Sequence, residues 1–285
     1  MKLLFLFTFI LTSLSASSFV GDIRWHNENS DTTLITNILS EASQKQFANS
    51  SERTGYIARK FIGTPYVAHT LEGDKEVLTV NLDELDCTTF VDIALALSYT
   101  LGENRLGWQD FAYNLRRMRY RDGEVDGYAS RLHYNCDWAI NNIHRGNIND
   151  ITPLLPRYNY MIRTIDFMSH NRSSYQALED SENFAKIQQI ENGYRNHRFP
   201  YIKTADLANE SIDNMLRDGD IVAFVSKINN LDVTHMGIVV KIDGETRVLH
   251  ASMTNGKVEI SDTTLAAFVK RNRNWIGIRI YRLKE

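Results

Sequence analysis

Cysteine and proline are scarce: 285 residues hold two of the first, Cys87 and Cys136, and four of the second. So few cysteines exclude a disulfide-packed miniprotein, and 15 glycines with no internal repeat exclude a collagen-like chain. An excess of one charge is missing as well. The balance of 32 Lys+Arg against 35 Asp+Glu leaves −3, which argues against a broad nucleic-acid-binding face. No window beyond the amino terminus approaches the roughly 20 apolar residues that a membrane-spanning helix needs, so stable membrane insertion is not expected. What is present is core material. With 43% hydrophobic and 11% aromatic residues, the chain is no disordered tail.

The amino terminus reads as an export signal. Lys2 precedes an apolar stretch at 3–14 and the small residues of 15–18, the pattern of a cleaved signal peptide. Residues 1–18 are therefore expected to be removed, leaving a periplasmic or secreted chain of residues 19–285.

The first half carries helical spacing. Leu34, Ile35, Ile38 and Leu39 predict a helix capped by Ser30 or Asp31. A second helix at 56–62 halts at Gly63-Thr64-Pro65, and a third runs from an Asp86 cap to Gly102. Others are expected at 108–120, 133–144 and 184–190. After Asn209 the pattern changes to short β-branched runs at 220–225, 236–242, 246–250 and 276–281, with Asp243-Gly244 as a hairpin turn. Helices followed by an antiparallel sheet give the α+β class in a single domain, with a mainly helical insertion at about 106–201.

Cys87 falls at the start of the third helix, where unpaired amides and the helix dipole favour a thiolate nucleophile. Cysteine count alone suggests a Cys87–Cys136 disulfide instead, as in a non-catalytic wall-binding module. A thiol nucleophile needs a base. His26, His170 and His197 lie in polar stretches, whereas His235 and His250 flank the hairpin turn. With a two-residue turn, position 250 faces 237, so the two imidazoles become diagonal neighbours on one face. Such a pair supplies a base and a group to orient it. His133-x-x-Cys136 lacks the second pair of ligands that a metal site requires, so neither metal nor cofactor is expected. Two basic runs, Arg116-Arg117-x-Arg119-x-Arg121 and Lys270-Arg271-x-Arg273, read as solvated faces able to hold acidic groups.

Five motifs in order carry a resemblance: Gly63-Thr64-Pro65-Tyr66, Asp86-Cys87-Thr88-Thr89-Phe90-Val91, Asp218-Gly219-Asp220, His235-Met236-Gly237-Ile238 and Leu249-His250-Ala251-Ser252. Together they resemble the NlpC-type papain-like cell-wall cysteine hydrolases. The long separation of Cys87 from His235, with the Ser130–Trp138 stretch between, resembles the secreted N-acetylmuramoyl-L-alanine amidase-like branch with a large helical insertion. The resemblance implies a papain-like core with Cys87 as nucleophile, His235 as base and His250 as its orienting partner. It also implies peptidoglycan fragments as substrate, cut between muramic acid and L-alanine. Compact relatives instead cut within the stem as γ-D-glutamyl–diamino-acid endopeptidases. On this reading Tyr66, Asp86, Thr88, Arg131, His133, Tyr134, Asp137, Trp138 and Thr234 line the substrate site, with Arg131 gripping a carboxylate.

Overall fold

The computed structural model describes residues 21–285, so the export signal at 1–18 lies outside the described residues. Strand β1 (Ile23–Trp25) pairs in parallel with β2 (Leu78–Val80), and between them come helices α1 (Glu28–Ser43) and α2 (Ser50–Ala58). Helix α3 (Cys87–Gly102) follows, then α4 (Trp108–Arg119), α5 (Asn135–His144), β3 (Ile148–Asp150), β4 (Asn159–Arg163), α6 (Phe167–His170), α7 (Ser181–Asn192) and β5 (His197–Lys203). The carboxyl-terminal part adds α8 (Glu210–Asp213), β6 (Ile221–Ser226), β7 (Val233–Ile242), β8 (Glu245–Ser252), β9 (Lys257–Ile260), α9 (Leu265–Arg271) and β10 (Trp275–Leu283). Strands β3 to β10 form one sheet in the order β4-β5-β10-β6-β7-β8-β9, with β3 also on β10, and its pairings are antiparallel. The class is α+β.

Alternation along the central strands divides the interior in two. Ile221, Ala223, Met236, Ile238, Leu249 and Ala251 face one core, which α3 fills with Phe90, Val91, Ala94 and Leu95. Val222, Phe224, Val239, Val248 and Ile278 face a second core, completed by Leu265 and Val269 of α9. Because α3 is apolar on every side, it is buried on every side between α2, α4 and the sheet.

Two expectations need correction. The first helix is capped by Asn27, whose side chain accepts from the Ser30 N–H, not by Ser30 or Asp31. Asp31 is buried instead and accepts from the Asn27 and Leu82 amides, tying α1 to the chain after β2. The stretch 106–201 is also less helical than its polar loops suggest. It contributes β3, β4 and most of β5 to the sheet, and α4 packs directly on α3.

A strap fixes the chain that leads to Cys87. Gly63 and Tyr66 donate amide hydrogen bonds to Val258 and Gly256 on one side, while Leu85 donates to Pro65 on the other. The Gly63-Thr64-Pro65-Tyr66 motif thereby joins the β9 edge of the sheet to the residues that lead into α3. Gly237 is required by close approach: a Cβ there would stand 2.9 Å from the Leu249 carbonyl and 3.1 Å from His250 Cβ.

Candidate active site

Asp86 opens α3 with a capping box. Its carboxylate accepts from the Thr88 and Thr89 amides at 2.9 and 2.8 Å, and the Thr89 hydroxyl accepts from the Asp86 N–H. That geometry places Cys87 on the first turn, half-buried, with its sulfur 3.9 Å from the Thr88 hydroxyl. Both cysteines are free thiols. Cys136 is buried on α5, where its amide donates to Asp232, so the disulfide reading is corrected.

The hairpin has a two-residue turn. Ile242 pairs with Glu245 and Ile238 with Leu249, while Asp243 and Gly244 both adopt positive φ. His235 and His250 consequently meet: Nε2 of His235 lies 3.0 Å from Nδ1 of His250. Nδ1 is then the ring nitrogen of His235 left for a second partner. An aromatic shell holds the pair. Phe224 stacks on His235, Trp275 lies parallel to it at 5.7 Å, and Phe268 packs on His250. The Trp275 indole N–H donates to the Thr234 hydroxyl at 3.0 Å, locking the ring beside the base.

Cys87 comes from the start of α3 and His235 from β7. The Cys87 sulfur lies beside the backbone of Met236, one residue past His235. Cys87 and His235 then line one cavity of about 110 Å³ with Thr88, His133, Tyr134 and Trp138.

The electrostatics differ from the thiolate expectation. Burial, and then the Asp86 carboxylate, push the Cys87 thiol up to about 12, against smaller opposing hydrogen bonds from Met236 and Thr88. Burial pushes His235 down to about 3, helped by His250. Desolvation and a neighbouring anion outweigh the helix-start amides, so the resting pair is neutral thiol and neutral imidazole. Alkylation should report this directly. The iodoacetamide rate of Cys87 is expected to rise about tenfold per pH unit from pH 6 to 9 without a plateau, since only the thiolate reacts. A rate already flat above pH 5, as an ion pair gives, would contradict it.

The other residues singled out by sequence divide. Thr88, His133, Tyr134, Trp138 and Thr234 border the cavity. His133 is pushed down to about 3 by burial and Arg131, and its Nε2 is 2.9 Å from the Tyr128 carbonyl. The Tyr134 hydroxyl donates to Glu191, so it is the rest of that residue that meets the cavity. Trp138 packs edge-on against Tyr281. Tyr66 lies beside the nucleophile, its phenol raised by burial and then by Cys87. Three assignments are not met by the geometry. Asp86 spends its carboxylate on the cap. Arg131 is buried against Glu72 at 3.0 Å and Glu76 at 3.4 Å and is not among the residues that line the cavity. Asp137 is held by Arg121 and the Tyr194 hydroxyl. Sequence reasoning missed Asn135 and Met236 on the cavity wall, and Phe224, Phe268 and Trp275 around the histidines. Asn135 lay within the Ser130–Trp138 stretch already singled out; the aromatic residues gave no local signal.

Residues 56–278 match the family described as AmiA-like, N-acetylmuramoyl-L-alanine amidase-like. The chain belongs to this family. A solved N-acetylmuramoyl-L-alanine amidase from Bacteroides uniformis is similar at 38% identity and a TM-score of 0.78, over 83% of this chain and 99% of that one. The Legionella pneumophila protein LPG0564 shares the fold at 20% identity, with a TM-score of 0.71 over 90% of this chain and 96% of its own. No curated protein is significantly similar.

Proposed function

We propose that this amidase-family chain is a papain-like, cysteine-dependent peptidoglycan hydrolase that cuts the amide between (anhydro-)N-acetylmuramic acid and the L-alanine of the stem peptide. The observation that carries the reading is that His235, its Nε2 held by His250 at 3.0 Å, lines one cavity with Cys87. In the first step His235 Nδ1 takes the thiol proton as the sulfur adds to the lactyl carbonyl. The Cys87 N–H at the helix start stabilises the oxyanion. His235 then returns the proton to the leaving nitrogen, the C–N bond breaks, and a thioester to the muramyl group remains. Water enters, gives a proton to His235 and attacks the thioester; the muramyl carboxylate departs and the thiol is restored. His250 holds the base in the tautomer with Nδ1 unprotonated.

Thr88, His133, Trp138 and Thr234 act as cavity walls for the scissile amide. The export-signal pattern read in residues 1–18 supports a periplasmic or secreted location, where wall fragments would be met. Mass spectrometry of a digested anhydro-muropeptide tests the reaction. Release of an intact stem peptide is the expected result. A shortened stem would instead assign cleavage within the peptide, and an unchanged muropeptide would overturn both.

A further inference from the structure

The small cavity adjoins a much larger groove. About 900 Å³ in volume, it shares Thr234 and His235 with the cavity but does not reach Cys87. It continues past His250 and Glu259 to Trp275 and the α9–β10 loop. In the acyl-transfer step the half of the substrate bonded to sulfur stays at Cys87, and the half that receives the proton departs on the side of the base. The groove lies on the side of the base.

Its charges are distinctive. All four arginines of the first basic run are spent within the protein: Arg116 on Glu124, Arg117 on Glu103, Arg119 on Asp92 and Arg121 on Asp137. In the second run Arg271, which borders the groove, is paired with Asp262 at 2.9 Å. Arg273 is different. It is exposed on the groove wall and has no carboxylate partner among the described residues. Across the groove Glu259 pairs with His250 in strand register. Among the described residues its carboxylate accepts a hydrogen bond from Asn255 and has no cationic partner. One free cation and one free anion thus face a single groove beside the base.

We infer that this groove binds the leaving half of the substrate, a zwitterionic peptide whose carboxylate meets Arg273 and whose ammonium meets Glu259. The inference rests on the proposed amidase reading, and it identifies the recognised leaving group as the stem peptide with a free side-chain amine. Arg273 supplies a planar donor pair suited to a carboxylate, and loss of a charged hydrogen bond of this kind weakens binding about tenfold or more.

Calorimetric titration tests the groove without turnover. The probe is a free stem tripeptide carrying a diamino acid third, added to the Cys87→Ala protein. Arg273→Met is expected to weaken binding about tenfold, and amidating the peptide carboxylates to weaken it equally, with no further loss when the two are combined. Glu259→Gln should behave likewise with an N-acetylated side-chain amine. Binding unaffected by Arg273→Met, or additive losses from variant and amidation, would overturn the assignment. Tight, Arg273-dependent peptide binding by a protein that cleaves no muropeptide would leave the groove standing and refute the amidase reading instead.

Discussion

Cys87→Ala is expected to lower release of the stem peptide by about 10⁴-fold or more, the scale seen when a covalent nucleophile is removed. The chemistry has no substitute. Cys136, the other thiol, is buried against Asp232 and does not line the cavity. The fold should be indifferent to the change. Cys87 is only half-buried, and the cap is made by Asp86, Thr88 and Thr89. Alanine is also the better helix former. Chromatographic assay of a muropeptide digest, with a thermal melt as control, checks the pair of outcomes. Turnover by the alanine variant within tenfold of wild type would remove Cys87 from the mechanism.

Replacing His235 by alanine should cost about 10²- to 10⁴-fold in kcat/KM, the range for loss of a positioned general base. Its pH profile gives a second signature. The active form is the neutral imidazole, so activity is present above the His235 pKa and lost as pH falls through it. Burial lowers that value to about 3, so wild-type kcat/KM should hold at pH 5, below the ordinary imidazole value of about 6.5. An acid limb centred between pH 6 and 7 would show an unshifted base. His250→Asn should retain more activity than His250→Ala, because an amide can still hold Nε2 of the base. Equal losses would mean that the 3.0 Å contact does not orient His235.

The two halves of the site were legible to different depths. Asp243-Gly244 fixes the hairpin by local turn chemistry, and one turn then determines the pairing back to Ile238 and Leu249, close to the two histidines. Asp86 followed by Thr89 likewise marks the helix start in the sequence itself. Neither needs knowledge of a distant partner. Arg131 and Asp137 did. Both carry the chemistry of substrate recognition, but Glu72, Glu76, Arg121 and Tyr194 arrive from elsewhere in the chain and claim them. The charge state of Cys87 failed for the same reason: the helix start is local, whereas the burial that opposes it comes from the packing around β7. Strand β5 was hidden by Pro200. A proline rarely occupies an inner strand, yet β5 meets β10 only at Ile202 and Lys203, so Pro200 sits where no neighbour on that side needs its missing N–H.

The capping carboxylate has a consequence beyond the helix it starts. With burial as the larger cause, the Asp86 anion beside the sulfur helps keep the resting thiol as S–H. Peroxides and disulfides react with thiolates far faster than with thiols. A sulfur that loses its proton only when an amide is in place is slow to become a sulfenic acid or a mixed disulfide. The cap that positions the cysteine is thereby expected also to slow its oxidation.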